Sequence, residues 1–127
     1  MLRNAERQHS LQIVRGGRAS HTIASQIELA LDSKSRRRGL LGRDTFDRGS
    51  ALIIAPCSSI HTFFMRFAID VVFVARDGRV LKTYAAMGSR RIGFSMGAFA
   101  VIELPAGALA ESEPQPGDIV RLISQET

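Results

Sequence analysis

The run Ile69–Ala75 constrains the fold more than any other segment of the chain. It is apolar and mostly β-branched, it is interrupted only by Asp70, and the dipeptide Asp77-Gly78 follows it. A strand that is apolar on both faces is typical of the centre of a sheet. An Asp-Gly pair between two such runs is a strong signal for a β-hairpin. The sequence therefore predicts a central strand that turns at 77–78 and pairs with a strand over 79–85.

Most of the remaining chain is predicted to form short strands separated by turns. Apolar or alternating runs predict further strands over 11–15, 19–23, 27–31, 51–55, 60–64, 98–104 and 119–123. Asp32-Ser33 is a good helix N-cap, so 34–41 is predicted to be a short helix with Gly39 inside it. The Gly-, Ser- and Arg-rich segment 87–97 is predicted to be a loop. Eight or nine strands and one short helix predict a mainly β fold, either a β-sandwich or a distorted barrel.

Length and composition predict a single globular domain over residues 1–127. The chain has 127 residues, of which 45% are hydrophobic and 23% are charged, and these values are typical of one folded domain. The first nine residues are polar, and we expect them to be flexible.

The net charge restricts the binding partners that we expect, and the single cysteine restricts the cellular compartment. Lys and Arg number 17 against 12 Asp and Glu, giving a net charge of +5, but the cations are scattered along the chain. Scattered cations predict weak, sequence-independent binding of nucleic acid at most. Cys57 is the only cysteine, which excludes an intramolecular disulfide and suits a reducing compartment. No apolar leader and no run near the ~20 residues of a membrane span is present, so we expect a cytoplasmic protein without a membrane partner.

Five polar residues form the predicted ligand-binding set: His61, Arg66, Asp70, Arg90 and Arg91. His61 and Arg66 flank an apolar bend, and the two later arginines lie in a segment with enough Gly and Ser to close over a ligand. Guanidinium groups match the oxygens of carboxylate and phosphate, so the set predicts a small anionic ligand. The alternative is that these arginines point apart into water.

The buried carboxylates are predicted to be structural. Arg66 and Asp70 would be about 13 Å apart on an extended strand, too far for a direct pair. We therefore expect Asp70 to accept backbone N–H groups or to pair with another residue such as Arg43. Glu103 is expected to pair with an arginine across the sheet.

No catalytic set, cofactor or metal site is predicted. Cys57 and His61 are four residues apart, but a structural zinc site requires four ligands and no CxxC motif is present. The Gly88–Gly97 segment lacks the ending of a phosphate-binding loop.

Three blocks of sequence together resemble a known family. They are Arg36–Arg43, His61–Gly78, and Val101–Gly107 followed by Gly117-Asp118. In this order and spacing they resemble DUF192, a family of uncharacterised conserved bacterial and archaeal proteins, over about residues 20–124. The resemblance implies a compact, mostly β fold and implies no activity.

These observations favour a non-catalytic module that binds a small or acidic ligand. A nucleic-acid-associated or regulatory accessory protein is the alternative, and an enzyme is the third interpretation; no oligomeric state is predicted. A pocket that holds His61 with a carboxylate would favour a ligand-binding module or an enzyme, whereas a basic stripe on one face would favour nucleic acid.

Overall fold

The computed structural model describes the backbone of residues 7–126, which forms ten strands and one helix. The elements are β1 (Arg7–Arg15), β2 (Arg18–Ala24), β3 (Gln26–Ala30), α1 (Ser33–Arg38), β4 (Ser50–Ile54), β5 (Ser59–His61), β6 (Ile69–Val74), β7 (Val80–Met87), β8 (Ile92–Phe94), β9 (Ala100–Pro105) and β10 (Ile119–Glu126). Of the segment expected to be flexible, 1–6 lies outside the described residues. Residues 7–9 begin β1 and pair with β10.

The strands form three sheets that remain open, so the β-sandwich and not the barrel describes the fold. A five-stranded sheet has the order β3-β4-β9-β6-β7, a three-stranded sheet has the order β10-β1-β2, and β5 pairs with β8. The predicted mainly β class with one short helix is confirmed. Within residues 7–126 no helix is long and apolar enough to cross a membrane.

The five-stranded sheet buries both of its faces, because a different layer covers each face. On the first face, Val72 and Ile102 pack with Leu11 and Ile13 of the three-stranded sheet. On the second face, core residues that include Phe73 pack against the segments that follow α1 and β5. All six residues of β6 are buried, as its uninterrupted apolar pattern predicted.

The helix α1 belongs to the crossover that connects the parallel strands β3 and β4. They pair in register from Gln26 with Ser50 to Ala30 with Ile54, and parallel neighbours require a crossover connection. Residues 31–49 form that crossover and contain α1. Leu40, which follows the helix, is buried in the second core cluster. This connection fixes the helix above the sheet.

The helix forms at the predicted position but is shorter than predicted. Asp32 caps it, because its carboxylate accepts the Ser35 N–H at 2.8 Å. The helix ends at Arg38, and Gly39 caps it with φ of +49°, so Gly39 is not inside the helix. A glycine at positive φ is a common helix terminator because it has no Cβ to clash.

The predicted loop over 87–97 is also wrong in part, because Ile92–Phe94 forms β8. Ile60 of β5 pairs with Gly93, which packs so closely on the sheet that an added Cβ would lie 3.0 Å from the Tyr84 ring. The glycine that indicated a loop therefore permits close approach of a strand instead.

Candidate ligand-binding cavity

A cavity of about 350 Å³ opens between α1 and the second face of the five-stranded sheet. We call it the α1 cavity. Its polar and ionisable lining consists of seven residues, namely Arg36, Arg37, Arg38, Cys57, Ser59, His61 and Glu103. Three guanidinium groups and an imidazole therefore share one concave site with a carboxylate.

All three arginines belong to the last turn of α1. Arg36 is half-buried, and its guanidinium donates to the Leu31 carbonyl at 3.2 Å and to the Ser33 hydroxyl at 3.4 Å. Arg37 and Arg38 are exposed and have no side-chain hydrogen bond to any described residue. Their guanidinium groups are therefore available to a ligand.

Glu103 lies at the centre of the sheet and faces the cavity. It sits on β9 between Leu52 of β4 and Val71 of β6, and only 4% of its surface is exposed. None of the described residues donates a hydrogen bond to its carboxylate. Burial raises the pKa of Glu103 to about 7, and the positive charge of Arg43 opposes this rise.

The predicted pairing of Glu103 with an arginine is wrong. Arg43 is the cation that acts on it, but the Arg43 guanidinium donates to both carboxylate oxygens of Glu28, at 2.8 and 2.9 Å. Buried polar groups are nearly always hydrogen-bonded, and Glu103 has no donor among the described residues. Its carboxylate oxygens are not among the fully buried atoms that lack a partner, because the side chain faces the α1 cavity. The donor for Glu103 must therefore come from the contents of that cavity.

Cys57 lies in the same cavity, but its environment does not activate it. Burial raises the pKa of the thiol, and the nearby Glu103 charge raises it further. The thiol is half-buried and donates to the Ser59 carbonyl at 3.0 Å. Because the thiolate is the nucleophilic form, a raised pKa disfavours catalysis by this residue.

His61 is exposed at the end of β5. Its ring packs against Phe63, with 5.7 Å between ring centroids, and it also lines the α1 cavity. Among residues 7–126, no group of three or more His, Cys, Asp or Glu side chains is close enough to hold a metal ion.

The structure separates Asp70 from the rest of the predicted ligand-binding set. Its carboxylate lies on the first face of the sheet and accepts the N–H groups of Ala86, Gly107 and Leu109 at 2.8, 3.1 and 3.0 Å. The expectation of backbone donors is confirmed, and the suggested partner Arg43 binds Glu28 instead. Asp70 lines a different cavity of about 490 Å³.

The other four members lie on the opposite side of the sheet from Asp70. Thr62, which follows His61, accepts the Arg91 N–H on its hydroxyl at 2.9 Å and the Arg90 N–H on its carbonyl at 3.3 Å. His61 and the two arginines are therefore neighbours along the backbone. Arg66 is exposed and forms an ion pair with Asp44. Ligand binding by this set stays a prediction.

The sequence did not predict that the helix arginines, Cys57 and Glu103 share a cavity. One signal was available: Glu103 is a lone charge in the apolar run Phe99–Leu104, which is the pattern that drew attention to Asp70. A lone charge in a buried strand indicates either an internal partner or a site.

Two solved structures have a similar fold. One is a candidate transcription regulator from Sinorhizobium meliloti 1021, with a TM-score of 0.77, 20% identity, and coverage of 91% of this chain and 92% of the other. The other is a protein of unknown function from Novosphingobium aromaticivorans DSM 12444, with a TM-score of 0.73, 22% identity, and coverage of 88% and 83%. No curated protein matches the chain.

The family comparison covers most of the chain. The profile of DUF192, described as an uncharacterized ACR, matches residues 13–122, which include every strand from β2 to β9 and all seven polar residues of the α1 cavity. The three sequence blocks that resembled this family lie inside the matched range. The chain belongs to the DUF192 family.

Proposed function

We propose that this protein is a non-catalytic binding module whose α1 cavity takes a small anionic ligand. The observation that carries the proposal is the meeting of three helix arginines, His61 and a buried, unpaired Glu103 around one cavity of about 350 Å³. Cavities of this size are at the lower end of the range for small-molecule sites.

The arginines supply the attraction for an anion. A guanidinium group presents paired N–H donors that match the two oxygens of a carboxylate or the oxygens of a phosphate. Arg37 and Arg38 have no described partner, whereas Arg43 and Arg66 are already engaged by carboxylates. Arg37 and Arg38 at the α1 cavity therefore keep their guanidinium groups free of described partners, and Arg36 is engaged only by a carbonyl and a hydroxyl.

Glu103 supports the same ligand when its carboxyl group is neutral. A protonated carboxyl group donates one hydrogen bond, and the pKa of about 7 keeps a large neutral fraction at physiological pH. An anion bound beside Glu103 would favour that neutral form and would give the buried group a partner. We therefore expect the affinity for an anion to increase as the pH falls through 7.

The non-catalytic assignment rests on the chemistry of Cys57 and His61. The thiol is held in its protonated form by burial, and the His61 ring packs on Phe63. A regulatory role for the bound state is the second candidate, because one solved protein of similar fold is described as a candidate transcription regulator. The cytoplasmic location, which would keep Cys57 reduced, is part of the same proposal.

The test is an NMR titration with phosphate, sulfate and succinate at about pH 6 and about pH 8. We expect amide shifts at residues 36–38, 57–61 and 103, with tighter binding at the lower pH. The shifts should be lost in the double variant Arg37→Ala, Arg38→Ala. The matched control is Arg121→Ala, which removes an exposed arginine on β10.

Three results would contradict the proposal. They are the absence of shifts at millimolar anion, shifts spread evenly over all arginines, and shifts at 61–66 and 88–94 with none at 36–38 or 103. The last result would place the anion at His61, Arg66, Arg90 and Arg91 and outside the α1 cavity.

A further inference from the structure

Large apolar side chains are concentrated on the exposed side of the β5–β8 sheet and its adjoining turns. Eight large apolar side chains are exposed among the described residues, and five belong to this surface. They are Phe63, Phe64, Ile92, Phe94 and Met96, with 38%, 85%, 68%, 55% and 89% of their surface exposed. We call these five residues the outer face.

The strand register explains why these side chains share one surface. Ile92 lies opposite His61, and Phe94 lies opposite Ser59, whereas the intervening Gly93 faces inward against the sheet. Residues directly opposite each other on one face have closely spaced side chains. The Met65 N–H donates to the Thr62 carbonyl at 3.1 Å, and this turn places Phe63 and Phe64 at the end of the same sheet.

The backbone holds part of this surface in an unfavourable conformation. Phe64 has φ of +67° and Arg90 has φ of +63°, a region that bulky residues rarely occupy. Phe64 is therefore unfavourable in two respects: its backbone conformation is strained, and its apolar ring is exposed to water. Such outliers are concentrated at functional positions.

The two segments that carry the outer face contain cations and no carboxylate. The segments 59–64 and 88–99 contain Arg90 and Arg91 but no carboxylate. Lys82 adds a third cation, because its ammonium donates to the Phe94 carbonyl at 3.1 Å and lies 5.2 Å from the Phe94 ring centroid. Phe, Met and Arg are enriched in protein interfaces, and Asp and Glu are depleted there.

We propose that the outer face is a docking surface for an acidic segment of a partner protein, with apolar side chains that cover Phe64, Ile92 and Met96. Carboxylates of the partner would pair with Arg90 and Arg91, because complementary charge orients an interface. A second copy of this chain would bring the same cations instead. Single-stranded nucleic acid could stack bases on Phe63, Phe64 and Phe94. It would leave Ile92 and Met96, two of the three most exposed side chains of the outer face, without an apolar partner. The outer face adjoins the α1 cavity only at β5, where Ser59 and His61 line the cavity and pair with Phe94 and Ile92. No residue of the outer face lines the cavity, so the two proposals can fail independently.

The test uses short fluorescein-labelled peptides in an anisotropy assay at ~150 mM salt, where long-range attraction is screened. One peptide alternates Glu with Leu and Phe, and its matched partner carries Gln in place of every Glu. We expect the acidic peptide to bind at least about tenfold more tightly, which corresponds to roughly 1.4 kcal/mol. We expect a similar loss of its affinity in Phe64→Ser and in Ile92→Ser.

Two controls separate docking from general effects. Leu29→Ser removes an exposed leucine, 54% exposed, from β3 outside the outer face, and it should bind the acidic peptide as the parent protein does. Melting curves should show that all three variants remain folded, since each position is exposed. Arg90→Gln with Arg91→Gln should weaken binding of the acidic peptide and reduce its salt dependence.

Several outcomes would overturn the proposal. One is no binding of the acidic peptide, and another is equal binding of the Gln peptide. Tighter binding of phosphatidylglycerol vesicles or of oligothymidylate, lost in Phe64→Ser, would assign the outer face to a membrane or to nucleic acid. Self-association lost in Ile92→Ser would assign it to a second copy of the chain.

Discussion

Replacing Glu103 with Gln should make the protein more stable at alkaline pH. The variant keeps the size of the side chain and removes the charge that burial disfavours. The pKa of Glu103 rises from 4.5 to about 7 on folding, and each unit corresponds to 1.36 kcal/mol. The ionised form therefore costs the folded state on the order of 3 kcal/mol, a large part of the ~5–15 kcal/mol that stabilises a typical domain.

The sign follows from proton binding. Between pH 4.5 and about 7 the folded state retains a proton at Glu103 that the unfolded state has released. The stability of the parent protein should therefore fall as the pH rises through this window, because stability decreases with pH wherever the folded state binds more protons. The Gln variant lacks this contribution, so its advantage should be absent near pH 4.5 and complete above pH 7.

The assay is urea denaturation of both proteins at a series of pH values without added anion. Glu28→Gln is the control, and its effect should have the opposite sign. The hydrogen bond from Arg43 lowers the pKa of Glu28, so the ionised form of Glu28 stabilises the fold. Removing that charge should therefore reduce stability at pH values above the ordinary pKa of a glutamate. If Glu103→Gln and the parent protein show the same dependence on pH, then Glu103 is not an unpaired buried acid and the reasoning fails.

Three further substitutions test the core, the structural carboxylate and the hairpin. Val72→Ala should cost about 2 kcal/mol in urea denaturation, as core truncations do, because Val72 is fully buried on β6; an unchanged midpoint would contradict this. Asp70→Asn should lower the melting temperature more than Asp77→Asn, because three backbone N–H groups point at the Asp70 carboxylate, and equal melting temperatures would refute that role. Gly78→Ala should destabilise the protein more than Gly97→Ala: both glycines have positive φ, but only at Gly78 would the new Cβ meet a backbone oxygen of β10, at 2.5 Å. Equal losses would show that φ alone sets the cost.

Much of the fold could be predicted because its signals are local. The apolar run over β6, the Asp-Gly turn after it and the Asp32 cap of α1 each depend on neighbouring residues only. The structure confirms all three. The short strand β8 was missed because its stability comes from pairing with β5 and from the contact of Gly93 with Tyr84, neither of which is visible in a local window.

The site required the tertiary structure, as Asp70 and Glu103 show. Both are lone carboxylates in apolar strands, so their sequence patterns are alike. Asp70 pairs with Leu104 across the β6–β9 ladder, so Glu103, one residue earlier, points to the other face because side chains alternate along a strand. Asp70 thereby meets three backbone N–H groups, and Glu103 meets a cavity closed by α1. The sequence by itself determined that two charges would be buried. Only the tertiary structure decided which one is satisfied, because the groups that surround each carboxylate come from distant segments of the chain.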